Sequence, residues 1–227
     1  MTISHMNNMN NFLLKLIALT TMIIDHYGAI FEPDVILFRI IGRIAFPIYC
    51  FLLVQGFLHT SNIKKYAERL FIFAIISELP FDYAFYGQIN YFHQNIFFTL
   101  FIGLMTIYFI NKYSLGKNYL VPIIIIISFM ISSLMYVDYN FIGIIYILAF
   151  YFTKNLNKPK NLILTGIILF ATNYITGMYL QNYALLSLIP LYFYNNKLGL
   201  KNKKMQLLFY IAYPLHLFIF ALIKFYY

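Results

Sequence analysis

Residues 12–31 read FLLKLIALTTMIIDHYGAIF, and this stretch decides the fold class. It matches the roughly 20 apolar residues that an α-helix needs to cross a bilayer. It also contains Lys15, Asp25 and His26. Ionisable side chains are costly in hydrocarbon, so those that persist there usually face a bundle interior or a watery cavity. The stretch therefore predicts a membrane-spanning helix with one functional face.

The whole chain has the same apolar character. Of its 227 residues, 62% are hydrophobic and 10% are charged, whereas a soluble domain has about a quarter charged residues. This composition excludes a soluble globule and disorder, and the chain lacks the glycine repeat of collagen and the heptads of a coiled coil. The single cysteine, Cys50, excludes an internal disulfide, and we expect no metal site because no Cys/His cluster has ligand spacing.

The fold class predicted is all-α, a polytopic integral membrane helical bundle with about nine transmembrane helices. Their predicted bounds are Phe12–Phe31, Val35–Phe57, Leu70–Tyr86, Ile96–Tyr113, Leu120–Val137, Tyr139–Thr153, Leu162–Tyr179, Asn182–Tyr194 and Gln206–Tyr226. The sixth and eighth are short. We expect a polar segment at residues 1–11, without the basic start of a cleaved signal peptide, and a single transmembrane domain over 12–227.

Basic residues alternate between the predicted loops, and this alternation predicts the orientation. The basic loops contain Lys64, Lys65, Arg69, Lys112, Lys117, Lys154, Lys158, Lys160, Lys197, Lys201, Lys203 and Lys204, whereas the loops around 32–34, 87–94, 138 and 181 contain neither Lys nor Arg. Because cytoplasmic loops collect basic residues, we predict a multi-pass protein of the cell membrane with its N-terminus inside and its C-terminus outside. The same rule accounts for the net charge of +9 without a nucleic-acid partner.

Ionisable residues within the predicted spans are concentrated in the first three. Lys15 and His26 are eleven positions apart, so they lie on one helix face, separated by roughly 16 Å along the axis. Asp25 lies about 100° around the helix from His26 and need not contact its ring. The structural alternative is that Lys15 snorkels and His26 makes a local hydrogen bond.

The second and third predicted helices carry opposite charges. Arg39 and Arg43 form a two-cation face, and Glu78 and Asp82 form a two-anion face, since each pair is four residues apart. One interpretation is that the two faces neutralise each other and hold the helices together. The other is a cavity in which carboxylates position His26 and guanidiniums receive negative charge.

Further candidate residues lie near the predicted membrane surfaces. Thr60–Asn62 can cap a helix whose basic first turns suit a phosphate, although an ordinary cytoplasmic loop has the same composition. The candidates for binding an anionic cofactor are Lys15, Arg39, Lys64, Lys65, Tyr66 and Arg69. The candidates for shaping an outer vestibule or supporting the site are Glu78, Asp82, Asn95, Tyr213 and His216.

The order of several short motifs resembles the TraX family, named for the conjugative pilin acetylase. The motifs are Leu14–Ala18, Met22–Gly28, Gly42–Pro47, Gln55–Phe57, Thr60–Asn62, Ser77–Phe81 and Tyr210–Leu217; they are dense over residues 13–105 and return at 209–217. TraX-like proteins are similar to the wider transmembrane acyltransferase group, in which a basic residue, ten residues and a histidine recur in the first helix. Lys15 and His26 fit that spacing.

The resemblance implies acetyl transfer from cytoplasmic acetyl-CoA to a hydroxyl or amine of an extracytoplasmic acceptor, a peptide such as a pilin N-terminus or a surface glycan. It implies that His26 is the catalytic residue, and we expect Asp25 and Arg43 in the same site. Arg43 or Arg39 would stabilise the oxyanion, and either direct attack or an acetyl-histidine route is open. The alternatives are a small transporter or flippase for an anionic or amphipathic substrate, and a non-catalytic membrane scaffold.

Overall fold

The computed structural model describes residues 9–114, 116, 118–200 and 202–226. Within these residues the secondary structure consists of helices and two isolated bridges, so the predicted all-α class is confirmed. Most of the predicted polar segment at residues 1–11 lies outside the described residues, as do Lys117 and Lys201.

The helices range in length from 5 to 24 residues. In chain order they are α1 (Asn11–Phe31), α2 (Ile36–Gly42), α3 (Ala45–His59), α4 (Ile63–Tyr86), α5 (Ile96–Tyr113), α6 (Leu120–Leu134), α7 (Asn140–Thr153), α8 (Lys158–Ile175), a 3-10 helix (Tyr179–Ser187), α9 (Leu188–Tyr192) and α10 (Lys203–Tyr226). Among the described residues, four helical segments are long and apolar enough to cross a membrane, namely Asn11–Phe31, Ile36–His59, Ile96–Tyr113 and Lys204–Tyr226. Nine spans and the orientation of the termini stay predictions.

The second predicted span is broken into two helices, because α2 ends at Gly42 and α3 begins at Ala45. Gly42 lowers the stability of a continuous helix, but it allows a close approach to α1. A Cβ at this position would collide with the Asp25 carboxyl group. The break thus lies where α2 packs on the buried carboxylate of α1.

The eighth predicted span, Asn182–Tyr194, is wrong as a single α-helix. The chain in this region forms the 3-10 helix and then the five residues of α9. Pro190 cannot donate the α-helical hydrogen bond to residue 186. Runs of 3-10 helix longer than three or four residues are uncommon, and this one is fastened by Gln181, which accepts a hydrogen bond from Arg43.

Several of the helices have an asparagine as their N-cap residue. The side chains of Asn10, Asn62, Asn95 and Asn157 accept hydrogen bonds from backbone N–H groups in the first turns of α1, α4, α5 and α8. The amide oxygen of Asn62 lies 2.9 Å from the N–H of Lys65. The helix start predicted at Thr60–Asn62 is therefore confirmed, with Asn62 as the capping residue.

The helices pack so that α1 contacts α2, α3 and α10, while α4 packs along α10 and α5. Ile48, Leu104 and Ile147 from α3, α5 and α7 are fully buried at the centre of the core. The starts of α1, α4 and α10 meet at one end of the bundle, which we name the Lys15 end. The opposite end, which holds Asp25 and the start of α2, is named the Asp25 end.

Candidate functional site

A buried ionic cluster joins α1 to α2 at the Asp25 end. Arg43 Nη2 lies 2.5 Å from Asp25 Oδ1 and 2.6 Å from Oδ2. Arg39 Nη1 lies 3.0 Å from Asp25 Oδ2 and donates to the Asp25 backbone carbonyl at 3.1 Å. The Asp25 and Arg43 side chains are nearly inaccessible, whereas that of Arg39 is 29% exposed. One carboxylate thus holds two cations, which brings together three of the predicted site residues.

All three guanidinium nitrogens of Arg43 donate hydrogen bonds within the protein. Nη2 donates to the Asp25 carboxylate, and Nη1 donates to the hydroxyl of Tyr139 at 3.2 Å and to Oε1 of Gln181 at 3.1 Å. Nε donates to the Arg39 carbonyl at 3.1 Å. Every nitrogen of Arg43 is therefore already engaged by a protein acceptor. Its contacts fasten α1, α2, α7 and the 3-10 helix together.

Tyr139 adopts the left-handed region with φ of 61°, a conformation that costs a non-glycine residue about 1–3 kcal/mol. The ring stacks on Phe46 with centroids 4.0 Å apart, and the hydroxyl accepts from Arg43. These two contacts hold the strained residue in place.

The interpretation that the arginines of α2 pair with the carboxylates of α4 is wrong within the described residues, because both arginines bind Asp25. Glu78 instead accepts from the side chain and backbone N–H of Asn95. Asp82 Oδ2 accepts from the N–H of Asn90 at 3.0 Å. The two carboxylates thus fasten the loop between α4 and α5. In the described structure Glu78 Oε1 and Asp82 Oδ1 are buried without a hydrogen-bond partner.

A second loop packs beside this one. The Gln94 N–H donates to the Tyr136 carbonyl, and the Asp138 N–H donates to the Gln94 carbonyl, each at 2.9 Å. His93 Nε2 lies 3.5 Å from Asp138 Oδ1. The hydrogen bond to Asp138 raises the pKa of His93 above its usual value, with burial acting in the opposite direction. This histidine therefore links the two loops by an interaction that depends on its charge.

His26 contacts a second histidine rather than a carboxylate. Its Nδ1 lies 2.7 Å from Nε2 of His216, which comes from α10. The two rings are nearly coplanar and lie edge to edge, with an interplanar angle of 17° and centroids 5.0 Å apart. Nδ1 of His216 lies 2.7 Å from the backbone carbonyl of Ala212. The expectation that carboxylates position His26 is therefore wrong: within the described residues, the hydrogen bond that orients its ring is made with His216.

Aromatic rings pack against the two histidines, of which His216 is buried and His26 is partly exposed. Phe85 and Tyr213 meet His26 edge-on, with centroids 5.3 and 5.9 Å away. Phe220 meets His216 edge-on at 5.6 Å. The pair is thus held between α1, α4 and α10 in an apolar shell.

A cavity of about 220 Å³ opens at the Lys15 end and runs into the bundle. Its polar and aromatic lining comprises Asn11, Lys15, Tyr49, Thr60, Tyr66, Arg69, Gln206, Tyr210 and Tyr213. Its apolar lining includes Met22, Leu52, Leu53, Leu70, Ile96, Phe97, Leu100, Leu198 and Phe209. The lining places two cations near the opening and mostly apolar side chains deeper in.

The cavity ends against the shell around His26. Met22, one turn before His26 on α1, and Tyr213, whose ring packs against the imidazole, line its deep end. His26 itself does not line the cavity. The ring of Tyr213 therefore lies between the cavity and the histidine pair.

The predicted cofactor residues are not all at this cavity. Lys15, Tyr66 and Arg69 line it, and Arg69 stacks over the Tyr66 and Tyr210 rings at 5.8 and 5.9 Å. Lys64 and Lys65 are exposed outside it, with Lys64 Nζ 4.0 Å from Glu68. The remaining candidate, Arg39, lies at the Asp25 end.

Residues of the site missed from the sequence include Tyr49, Tyr139, Gln181, Gln206 and Tyr210. Gln181 offered a signal, since a buried amide beside an apolar stretch needs a hydrogen-bond partner. Gln206 is exposed and offered none. The tyrosines offered none, because the chain has 22 of them and interfacial belts account for many.

Comparison with known proteins finds relatives of the chain in two bacteria. It is 29% identical over 230 residues to the probable fimbrial assembly protein FimC, serogroup H1, of Dichelobacter nodosus, with 91% of this chain and 92% of the relative covered. It is 31% identical over 100 residues to an uncharacterized protein of Rickettsia prowazekii (strain Madrid E), covering 44% of this chain and 37% of the relative.

No solved structure matches the chain. The pattern of the TraX protein family matches residues 11–224, which include the histidine pair, the ionic cluster and all of the cavity lining. The chain belongs to the TraX family.

Proposed function

We propose that this protein is an integral-membrane acetyltransferase that moves the acetyl group of acetyl-CoA to a hydroxyl or amine of an acceptor on the other side of the membrane. Membership of a family named for pilin acetylation supports this reaction class. A fimbrial assembly protein as a relative along nearly the whole chain favours a pilus component as the acceptor over a surface glycan.

One observation carries the proposal: the cavity begins between Lys15 and Arg69 and ends against the shell of His26. Cations suit the phosphates of CoA, and the mostly apolar interior suits a slender acyl-carrying arm. A volume of about 220 Å³ is below the roughly 300–1,000 Å³ of pockets that enclose drug-sized ligands. We therefore expect only the pantetheine arm inside, with the nucleotide at the opening.

His26 supplies the base in this proposal. The acceptor hydroxyl or amine attacks the thioester carbonyl while the imidazole takes its proton. The tetrahedral intermediate then releases CoA thiolate, which recovers the proton from the imidazolium. The products are the acetylated acceptor and free CoA, and His26 returns to its starting state.

In this proposal Asp25 and Arg43 have a structural role rather than the catalytic one expected from the sequence. Because all three nitrogens of Arg43 already donate to protein acceptors, we assign Asp25 and Arg43 to holding α1 and α2 in register beside His26. Arg39, which is 29% exposed, is the guanidinium better placed to face a developing oxyanion.

Tyr213 has to move for this reaction to occur. Its ring separates the cavity from His26, so the thioester reaches the imidazole only when this side chain rotates. A ring between donor and base also keeps water from the thioester while no acceptor is bound.

The experiment is transfer of labelled acetyl from acetyl-CoA by purified protein in proteoliposomes, with a pilin-type peptide carrying a free N-terminus as acceptor. We expect His26→Ala to abolish transfer and to keep acetyl-CoA binding and thermal stability, with His59→Ala, an exposed histidine, as the matched control. Undiminished transfer by His26→Ala removes His26 from the mechanism. Substrate flux without any transfer by the wild-type protein would identify a transporter instead.

A further inference from the structure

We infer that His216 is a positioning residue that fixes the tautomer of His26, so that His26 presents Nε2 as the base. The catalytic role of Nε2 in this inference rests on the proposed function. The hydrogen-bond arrangement itself is independent of any activity. It is carried by three groups in line: the Ala212 carbonyl, the His216 ring and the His26 ring.

The order of donors in this line follows from its fixed end. A backbone carbonyl only accepts, so His216 Nδ1, 2.7 Å from the Ala212 oxygen, carries the hydrogen. In a neutral ring the other nitrogen, Nε2, then has a free lone pair. His26 Nδ1, 2.7 Å away, must donate to it. The neutral His26 ring is left with its lone pair on Nε2.

The surroundings favour neutral rings. Phe85, Tyr213 and Phe220 pack edge-on against the pair, and His216 is 7% exposed. Within the described residues neither ring forms an ion pair with a carboxylate. Burying a charged imidazole without such a partner is costly.

Orientation is fixed together with the tautomer. The in-line hydrogen bond to His216 and the edge-on contacts of Phe85 and Tyr213 leave the His26 ring little freedom to rotate. A base oriented by a third group through its other nitrogen is the general arrangement of nucleophile-activating sites. When His26 accepts a proton on Nε2, its Nδ1–H bond to His216 becomes charge-assisted and stronger.

The test uses protein labelled with ¹⁵N-histidine in nanodiscs, where ring nitrogen signals report which nitrogen carries the hydrogen. His26→Gln assigns the His26 signals. We expect wild-type His26 to carry hydrogen on Nδ1, and His216→Phe, which keeps an aromatic ring without an acceptor, to lose that preference. His216→Gln places an amide oxygen near the former Nε2 and should restore it.

Transfer of acetyl is the second readout. We expect kcat to fall in His216→Phe by at most the roughly 10²- to 10⁴-fold that a positioned base contributes, with KM for acetyl-CoA unchanged and partial recovery in His216→Gln. An unaltered His26 tautomer and kcat in His216→Phe would overturn the inference, and so would hydrogen on Nε2 of His26 in the wild-type protein. Should a variant not fold, the wild-type spectrum alone still tests the His26 tautomer. Absence of acetyl transfer by the wild-type protein refutes only the proposed function.

Discussion

Both carboxylate oxygens of Asp25 lie within 2.6 Å of one nitrogen of Arg43, although 18 positions separate the two residues. Only 12% and 11% of their side chains are exposed. Removing one partner of a buried ion pair leaves an uncompensated charge. The pair therefore matters to the fold beside His26 before it matters to any reaction.

The first prediction concerns this pair. Asp25→Asn leaves Arg39 and Arg43 without their shared anion. We therefore expect the free energy of unfolding to fall by about 3–5 kcal/mol, with a lower Tm in detergent. The matched control is Glu68→Gln, which breaks an exposed pair with Lys64 and should cost at most about 1 kcal/mol. If Asp25→Asn is as stable as the wild-type protein but inactive, Asp25 acts in the chemistry instead.

The second prediction distinguishes the cations that line the cavity from those outside it. Lys15→Gln and Arg69→Gln should each raise KM for acetyl-CoA with little change in kcat, because they remove ground-state binding of phosphate. Lys64→Gln and Lys65→Gln, on the same side but outside the cavity, should leave KM nearly unchanged. A larger effect of Lys64 or Lys65 would show that the nucleotide lies along α4 rather than at the cavity.

The third prediction concerns pH and the two loops at the Asp25 end. The pKa of His93 is raised by its hydrogen bond to Asp138, so the interaction stabilises the loops below the ordinary histidine pKa of about 6.5. That contribution is lost as the pH rises through the higher folded value. We expect residues 87–95 to open more at pH 9 than at pH 6, measured by hydrogen exchange corrected for intrinsic rates.

The control for this prediction is His93→Gln, which keeps a polar side chain without the titrating charge. Its loop should open to the same extent at both pH values. An equal pH step in this variant and in the wild-type protein would assign the effect to another group.

Hydropathy alone predicted α1 and α5 within one residue at each end, because each is a predominantly apolar run between polar caps. The break after Gly42 was missed, because Gly42 and Arg43 lie within a run that is apolar on both sides. Its cause is the close approach of Asp25, a contact between helices that no local pattern contains.

Only part of the candidate site could be predicted, again because its contacts join residues that are distant in sequence. His26 and Asp25 stand out because ionisable residues are rare in apolar helices, but their partners are distant in sequence. His26 meets His216 across 190 positions, and Arg43 meets Gln181 across 138. Spacing along one helix predicted which residues share a face, and only the packing of α10 and the 3-10 helix determined what that face contacts.

The most direct test of the central claim locates the thiol end of CoA. The mixed disulfide of CoA and pyridinethiol reacts with a nearby cysteine thiol, which becomes disulfide-linked to CoA as pyridinethione leaves. The native Cys50 is buried, so we expect it to react little. We predict that this reagent labels Met22→Cys, at the deep end of the cavity, and that acetyl-CoA protects this variant from labelling. Gln206→Cys, near the opening, should react with the CoA reagent no faster than it reacts with the pyridyl disulfide of glutathione, which serves as a non-specific control. Labelling confined to Gln206→Cys, or equal at both positions, would contradict a cavity that delivers the thioester to His26.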